Sequence, residues 1–207
     1  DDGRPRVLDF GVARVTDADV NSRTMCTVAG ELVGTVPYMS PEQIAGDAEA
    51  RRLTEAWFTD PKAIGPEMLG TVLAIAATTG DAALFDRLEG DALREQDRRT
   101  RGQILGALGQ FRDSAAVEKG LQLVLSGKFD IREAGGVAFG LSGDRVSRAT
   151  AYDWAKRSFD PLAAAMPEQY TAALVYMAIG FCDTAHRDEI AAFFGPRVQK
   201  LSGGQNN

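Results

Sequence analysis

From about Arg51 onward, apolar residues recur at the three- and four-residue spacing of an α-helix, and Gly, Asp or Pro cuts the runs about every ten to fifteen residues. Short helices joined by short turns must pack as antiparallel neighbours, because the turn leaves no chain to cross elsewhere. Pairs of this kind stacked in series predict an all-α fold, a HEAT-like α-solenoid. No motif repeats cleanly along the chain, so the expectation rests on helix number and turn length.

The helices are predicted one by one. Leu53, Ala56 and Trp57 share a helix face that Asp60-Pro61 ends. Pro66 is placed at the first position of the next helix, which carries Met68, Leu69, Val72, Leu73, Ile75 and Ala76 and stops at Gly80. Asp81 caps a helix through Leu88, and Thr100 to Phe111 forms another with Ile104, Leu105, Leu108 and Phe111 inward. Asp113-Ser114 caps a helix that Gly127 ends, and Asp130 opens one to Leu141. Asp144 precedes a run to Phe159, Pro167 starts a helix to Phe181, and Asp183-Thr184 starts the last one, to Phe194. Trp57, Trp154, Phe85, Phe139 and Phe159 are read as core.

Composition excludes several function classes. Apolar content of 44%, charged content of 25% and a net charge of −6 fit a globular protein and argue against a nucleic-acid groove as its main business, leaving room for a local basic patch. No apolar run reaches the roughly 18 residues of a membrane helix. The two cysteines, Cys26 and Cys182, form neither a disulfide framework nor a CxxC pair, which points to a reducing, cytoplasmic setting. The chain opens on Asp1-Asp2-Gly3 without a Met, as a fragment or processed product would. The single histidine, His186, cannot supply a zinc site that needs two imidazoles, and it falls in the first turn of a polar helix.

Residues 1–47 are different in kind and are expected to form a largely irregular, poorly ordered segment. Arg6 to Phe10 has the pattern of a short strand entering a turn at Gly11, and Thr16 to Ala29 is polar and loop-like. Asp9-Phe10-Gly11-Val12-Ala13-Arg14 is followed by Gly34-Thr35-Val36-Pro37-Tyr38-Met39-Ser40-Pro41-Glu42-Gln43. Together these resemble the activation segment of bacterial serine/threonine protein kinases of the receptor-kinase type. The resemblance implies that Asp9, in the motif with Phe10 and Gly11, held Mg²⁺ against ATP phosphates. It implies that Thr35 met the catalytic loop, that Glu42 closed the segment, and that Thr24 and Thr27 accept activating phosphates. The Gly-rich loop, the strand lysine, the HRD loop and the residues that normally follow the S-P-E helix are all missing from the chain.

Residues 48–207 carry a second likeness. Ala50-Arg51-Arg52-Leu53, Thr79 to Phe85, Leu105 to Asp113, Ser126 to Glu133, Tyr152 to Arg157 and Glu189 to Phe194 occur in an order and spacing that resembles the C-terminal helical domain of zinc aminopeptidases of the puromycin-sensitive and endoplasmic-reticulum type. The resemblance implies a non-catalytic domain that closes over a catalytic domain and encloses peptide substrate. Zinc and its HExxH motif would lie in preceding domains, so no cofactor is expected on this chain, and peptide is a partner only beside those domains. The family usually adds a final helix beyond Asn207, so the end of the solenoid is expected to fray or self-associate.

Leu201-Ser202-Gly203-Gly204-Gln205 spells the signature peptide of ABC transporter ATPases, but no P-loop accompanies it, and Gly127-Lys128 runs on into Phe129. Three readings remain. The first is an aminopeptidase lid domain, present as a fragment or chimera with a kinase-derived tail. The second is a fused interaction module with a phosphorylatable loop, for which Arg98, Arg99 and Arg101 line a groove or simply form a solvated helix face. The third, a self-sufficient enzyme, conflicts with the missing zinc ligands and kinase core.

Overall fold

The computed structural model describes residues 46–198 of the chain. The kinase-like residues Asp9, Phe10, Gly11, Thr24, Thr27, Thr35 and Glu42, and the Leu201–Gln205 peptide, lie outside them. The described residues are all-helical. The elements are α1 (Asp47–Thr59), α2 (Leu69–Thr78), α3 (Ala82–Arg94), α4 (Arg98–Leu108), α5 (Ser114–Val124) and α6 (Ile131–Gly143). They continue with α7 (Arg148–Arg157), α8 (Phe159–Ala165), α9 (Glu168–Thr171), a 3₁₀ helix (Ala172–Ala178) and α10 (Thr184–Val198).

Aspartates set the starts. The Asp81 carboxylate accepts from the Ala83 and Leu84 N–H groups, at 3.1 and 3.0 Å. Asp113, Asp130 and Asp183 accept likewise from Ala116, Arg132 and His186. Each satisfies N–H groups that the first helical turn leaves without a partner. Asp97 does the same for Thr100, so α4 begins at Arg98, two residues before its expected start.

The helices form two layers of antiparallel pairs, a HEAT-like solenoid. Helices pack in consecutive pairs, α1 on α2, α3 on α4 and α5 on α6, while α2, α4, α6 and the 3₁₀ helix pack side by side in one layer and α3, α5 and α7 in the other. Ion pairs attach α1 and α10 to that outer layer, through Glu55–Arg87 and Lys156–Glu189. Phe85, Leu88, Ile104, Leu108, Phe111 and Leu141 fill the space between the layers with no exposed surface. Phe85 and Phe111 meet edge to face, with ring centroids 5.4 Å apart. Trp57 and Phe159 are buried as expected, and Trp154 and Phe139 pack against the core from its edge.

A repeat register underlies the irregular sequence. Polar contacts join Glu55 to Arg87, Arg101 to Glu133, Arg112 to Asp144 and Arg148 to the Gly180 carbonyl, each 32 residues apart. Asp86–Lys119 and Lys156–Glu189 span 33. One structural unit is therefore a helix pair of about that length, keyed to the next by polar contacts that recur at this spacing.

Three expectations need correction. Pro66 does not open the α-helix itself. The Gly65 carbonyl accepts from Met68 and Leu69, so Pro66 lies in a lead-in turn and α2 begins at Leu69. The run from Asp144 to Phe159 is two helices. Pro161 has no N–H and its ring would crowd the Arg157 carbonyl, so α7 stops at Arg157 and α8 starts afresh at Phe159. The helix expected from Pro167 to Phe181 is a four-residue α9 followed by the 3₁₀ helix. Its exposure has a period of three: Tyr170, Tyr176 and Ile179 face outward, while Thr171, Leu174 and Met177 are buried. Three residues per turn keeps each set on one face, as an α-helix would not.

Among the described glycines, backbone comes closest to backbone at the crossing of α6 with the end of α4. A Cβ on Gly140 would lie 2.7 Å from the Gly109 carbonyl oxygen and 3.0 Å from its Cα. Gly140→Ala is expected to force the helices apart and cost about 1–3 kcal/mol. Gly106→Ala, in α4 with nothing within 4 Å of its Cβ, is expected to be neutral or to stabilise by up to about 1 kcal/mol. Urea denaturation of the two variants beside the parent checks the contrast.

Candidate functional site

The inner layer opens into a cleft of about 540 Å³ between α4, α6 and the α8–α9 joint, a size usual for a ligand pocket. Its walls are apolar, formed by Ile131, Phe139, Met166, Pro167, Tyr170 and Ala173. Gly135 and Gly136, side by side in α6, keep one wall low because neither presents a side chain. Tyr170 is about half exposed, so its ring is not consumed by the core.

Two arginines stand at the rim. Arg132 makes a two-pronged contact with Asp130, Nε to Oδ1 at 2.9 Å and Nη2 to Oδ2 at 2.6 Å. The Arg132 backbone N–H also donates to Asp130. The Arg132 guanidinium, helped by that N–H, holds the Asp130 carboxyl well below the usual carboxylate range. Arg98, at the start of α4, reaches Glu133 at 3.3 Å with its side chain 80% exposed. Glu133 takes its main hydrogen bonds from Arg101, at 2.9 and 3.2 Å, which lowers the Glu133 carboxyl and keeps Arg101 more firmly protonated. Arg101 is anchored further by the Glu95 carbonyl at 3.0 Å.

The three arginines singled out in the sequence thus part company. Arg101 is a structural strut between α4 and α6, Arg98 lines the cleft, and Arg99 is exposed and lines no cavity described here. Sequence reasoning missed Arg132 and Tyr170 as cleft residues and read Phe139 as core alone. The adjacent pair Gly135-Gly136 inside a helical run was the one available signal of an open wall.

A second groove of about 570 Å³ lies near the α1–α2 turn. Its apolar floor, Trp57, Ile64, Leu69 and Ile104, already belongs to the buried core, and Phe58 is covered by the Arg87 guanidinium 3.9 Å from its ring. The α4–α6 cleft is the better candidate because its aromatic ring and one of its guanidiniums remain largely solvated.

His186 lies in the first turn of α10, as expected, but it is not simply solvated. Its Nδ1 lies 2.6 Å from Asp183, and its ring stacks on Phe181 at 4.0 Å between centroids. Among the described residues no group of three or more His, Cys, Asp or Glu side chains is placed to hold a metal ion. No described helix is long and apolar enough to cross a membrane. The cleft has walls for apolar groups and cations for an anionic group, and it is equipped to bind.

Comparison with known proteins agrees with this architecture. The family model for the ERAP1-like C-terminal domain matches residues 44–205, which include every described helix. The chain belongs to that family. A probable serine/threonine-protein kinase, PkwA, of Thermomonospora curvata is 44% identical over 88 residues, covering 41% of this chain. The match spans only 9% of the kinase's own length.

In this ERAP1-like C-terminal domain the Glu133 and Asp130 carboxyls titrate below their ordinary values, so the unfolded chain binds protons more readily than the folded one. Their contribution to stability is present above about pH 4.5, the ordinary value for Glu, and is lost as pH falls through the depressed values. The urea midpoint is expected to drop between about pH 5 and pH 3, and Glu133→Gln is expected to make that drop shallower.

Proposed function

We propose that residues 48–207 form the non-catalytic, substrate-enclosing lid domain of a zinc-dependent aminopeptidase acting on peptides. The observation that carries this reading is the α4–α6 cleft within a domain of the ERAP1-like C-terminal family. An extended peptide offers apolar side chains to Phe139, Met166 and Tyr170. Its carboxylates can exchange with Glu133 and Asp130 for Arg98 and Arg132. Zinc and the bond-breaking residues belong to a catalytic domain of the whole enzyme. The exposed free thiol of Cys182 accords with a cytoplasmic setting.

Fluorescence anisotropy with labelled peptides of about ten residues tests the reading on the whole chain. Binding is expected to be weak and saturable, and to fall about fivefold or more in Tyr170→Ala and in Arg132→Ala, a loss of roughly 1 kcal/mol. Peptides that fail to bind, or that bind both variants as well as the parent, would sink it.

The kinase-like motifs of residues 1–47, beside a likeness to a probable serine/threonine-protein kinase over 41% of the chain, favour a second reading for those residues. On that reading they are a kinase-derived activation segment joined to the helical domain. Asp9, Phe10, Gly11, Thr35 and Glu42 are remnants of the kinase motif, and Thr24 and Thr27 accept phosphate. Treatment with a bacterial serine/threonine kinase and Mg-ATP is then expected to yield phosphopeptides covering Thr24 or Thr27 by mass spectrometry. Phosphate found only elsewhere, or nowhere, counts against it.

A further inference from the structure

Among the described residues six large apolar side chains are exposed, and three of them, Tyr170, Tyr176 and Ile179, follow one another in a single short stretch. Single exposed apolar residues are ordinary, whereas a row of them marks a surface that meets something. Tyr170 stands just before the 3₁₀ helix Ala172–Ala178, a run of seven residues where such helices seldom exceed about four, because their hydrogen bonds are poorly aligned. At three residues per turn, Tyr170, Ala173, Tyr176 and Ile179 form one straight column with steps of about 6 Å. In an α-helix each step of three falls about 60° short of a full turn, so Ile179 would come round to the face opposite Tyr170. The long 3₁₀ run is what keeps Tyr176 and Ile179 in line with Tyr170.

Tyr170 and Ala173 line the α4–α6 cleft, so the column begins inside it and runs out to Ile179, which is 73% exposed. The neighbouring α6 leaves the column uncovered. Gly136 lines the cleft, and Gly143, two turns on and so on the same helix face, is exposed with nothing within 4 Å of its Cβ. We propose that the column extends the cleft into a straight track for a peptide in extended conformation whose alternate side chains are apolar. This rests on the peptide-enclosing function proposed above and adds the pattern such a peptide must carry. Two extended residues advance about 6.6 Å, close to one step of the column. Side chains i, i+2, i+4 and i+6 therefore meet Tyr170, Ala173, Tyr176 and Ile179 in turn. Adjacent helices stand about 8–10 Å apart, and the groove between them admits an extended chain but not a helix about 10–12 Å across. Two of the apolar steps are tyrosines, whose hydroxyls can bond the unpaired amides that an extended backbone carries.

Fluorescence anisotropy on the full chain compares three labelled nine-residue peptides of one composition, four Leu, four Ser and one Glu. Leu occupies every second position in the first, one block in the second, and positions 1, 4, 5 and 8 in the third, the spacing of a helix face. The alternating peptide is expected to bind about fivefold more tightly than the other two, and to lose that advantage in the double variant Tyr176→Ser, Ile179→Ser. Both positions are exposed, and circular dichroism confirms that the variant is folded. Equal binding of the three peptides, a preference for the helical spacing, or an alternating peptide that binds the variant as well as the parent overturns the track and leaves peptide binding in the cleft standing. Sedimentation that shows self-association of the parent, abolished in the variant, assigns the column to a second copy and overturns the track too. Failure of every peptide to bind removes the enclosing function and the track with it.

Discussion

The approach of Gly109 to Gly140 governs the spacing of everything around it. Helices whose contact carries ordinary side chains stand about 8–10 Å apart. Here a carbonyl and a Cα occupy the place of a Cβ, so α6 comes down onto the end of α4. In the other layer Phe85 and Leu121 are buried side chains. Gly102, Gly106, Gly135 and Gly136, on α4 and α6, leave open space where a Cβ would stand, with nothing within 4 Å. Gly109 and Gly140 let the helices meet, and a different pair on α6, Gly135 and Gly136, lowers the wall of the cleft.

Most of the helical plan was legible because its signals are local. An aspartate whose carboxylate reaches N–H groups two or three residues ahead needs nothing from the rest of the fold, and Asp81, Asp113, Asp130 and Asp183 were all read as starts. Asp97 was passed over because Arg98 and Arg99 look like loop, while Thr100 offers a plausible cap of its own. The 3₁₀ helix was misread for a different reason. Tyr170, Ala173, Tyr176 and Ile179 do recur every three residues, but they are as apolar as the buried set beside them, so hydropathy shows no contrast.

The repeat register and the cleft were not legible, and both failures have a physical cause. The polar contacts between repeats conserve attraction rather than residue type. Glu55–Arg87 and Asp86–Lys119 run acid to base along the chain, whereas Arg101–Glu133, Arg112–Asp144 and Lys156–Glu189 run base to acid. A comparison of like with like at a fixed period finds nothing there. The cleft draws Arg98, Arg132, Phe139 and Tyr170 from three elements, brought together only by the stacking of helix pairs. Arg132 is additionally hidden by Asp130, whose acid beside a base reads in sequence as surface charge.

That internal pairing bears on what the cleft does. Arg132 and Arg98 are satisfied without a ligand, so an anionic group that binds must displace Asp130 or Glu133 rather than meet a bare cation. The net gain is the difference between two similar pairs, which is small. The remaining attraction comes from apolar contact with Phe139, Met166 and Tyr170, which does not depend on one side-chain identity. Under the proposed lid function, such a site is expected to hold many peptides loosely and release them readily. That behaviour suits a domain that encloses substrate while another performs the cleavage, because a lid that bound one sequence tightly would retain product and slow every later turnover.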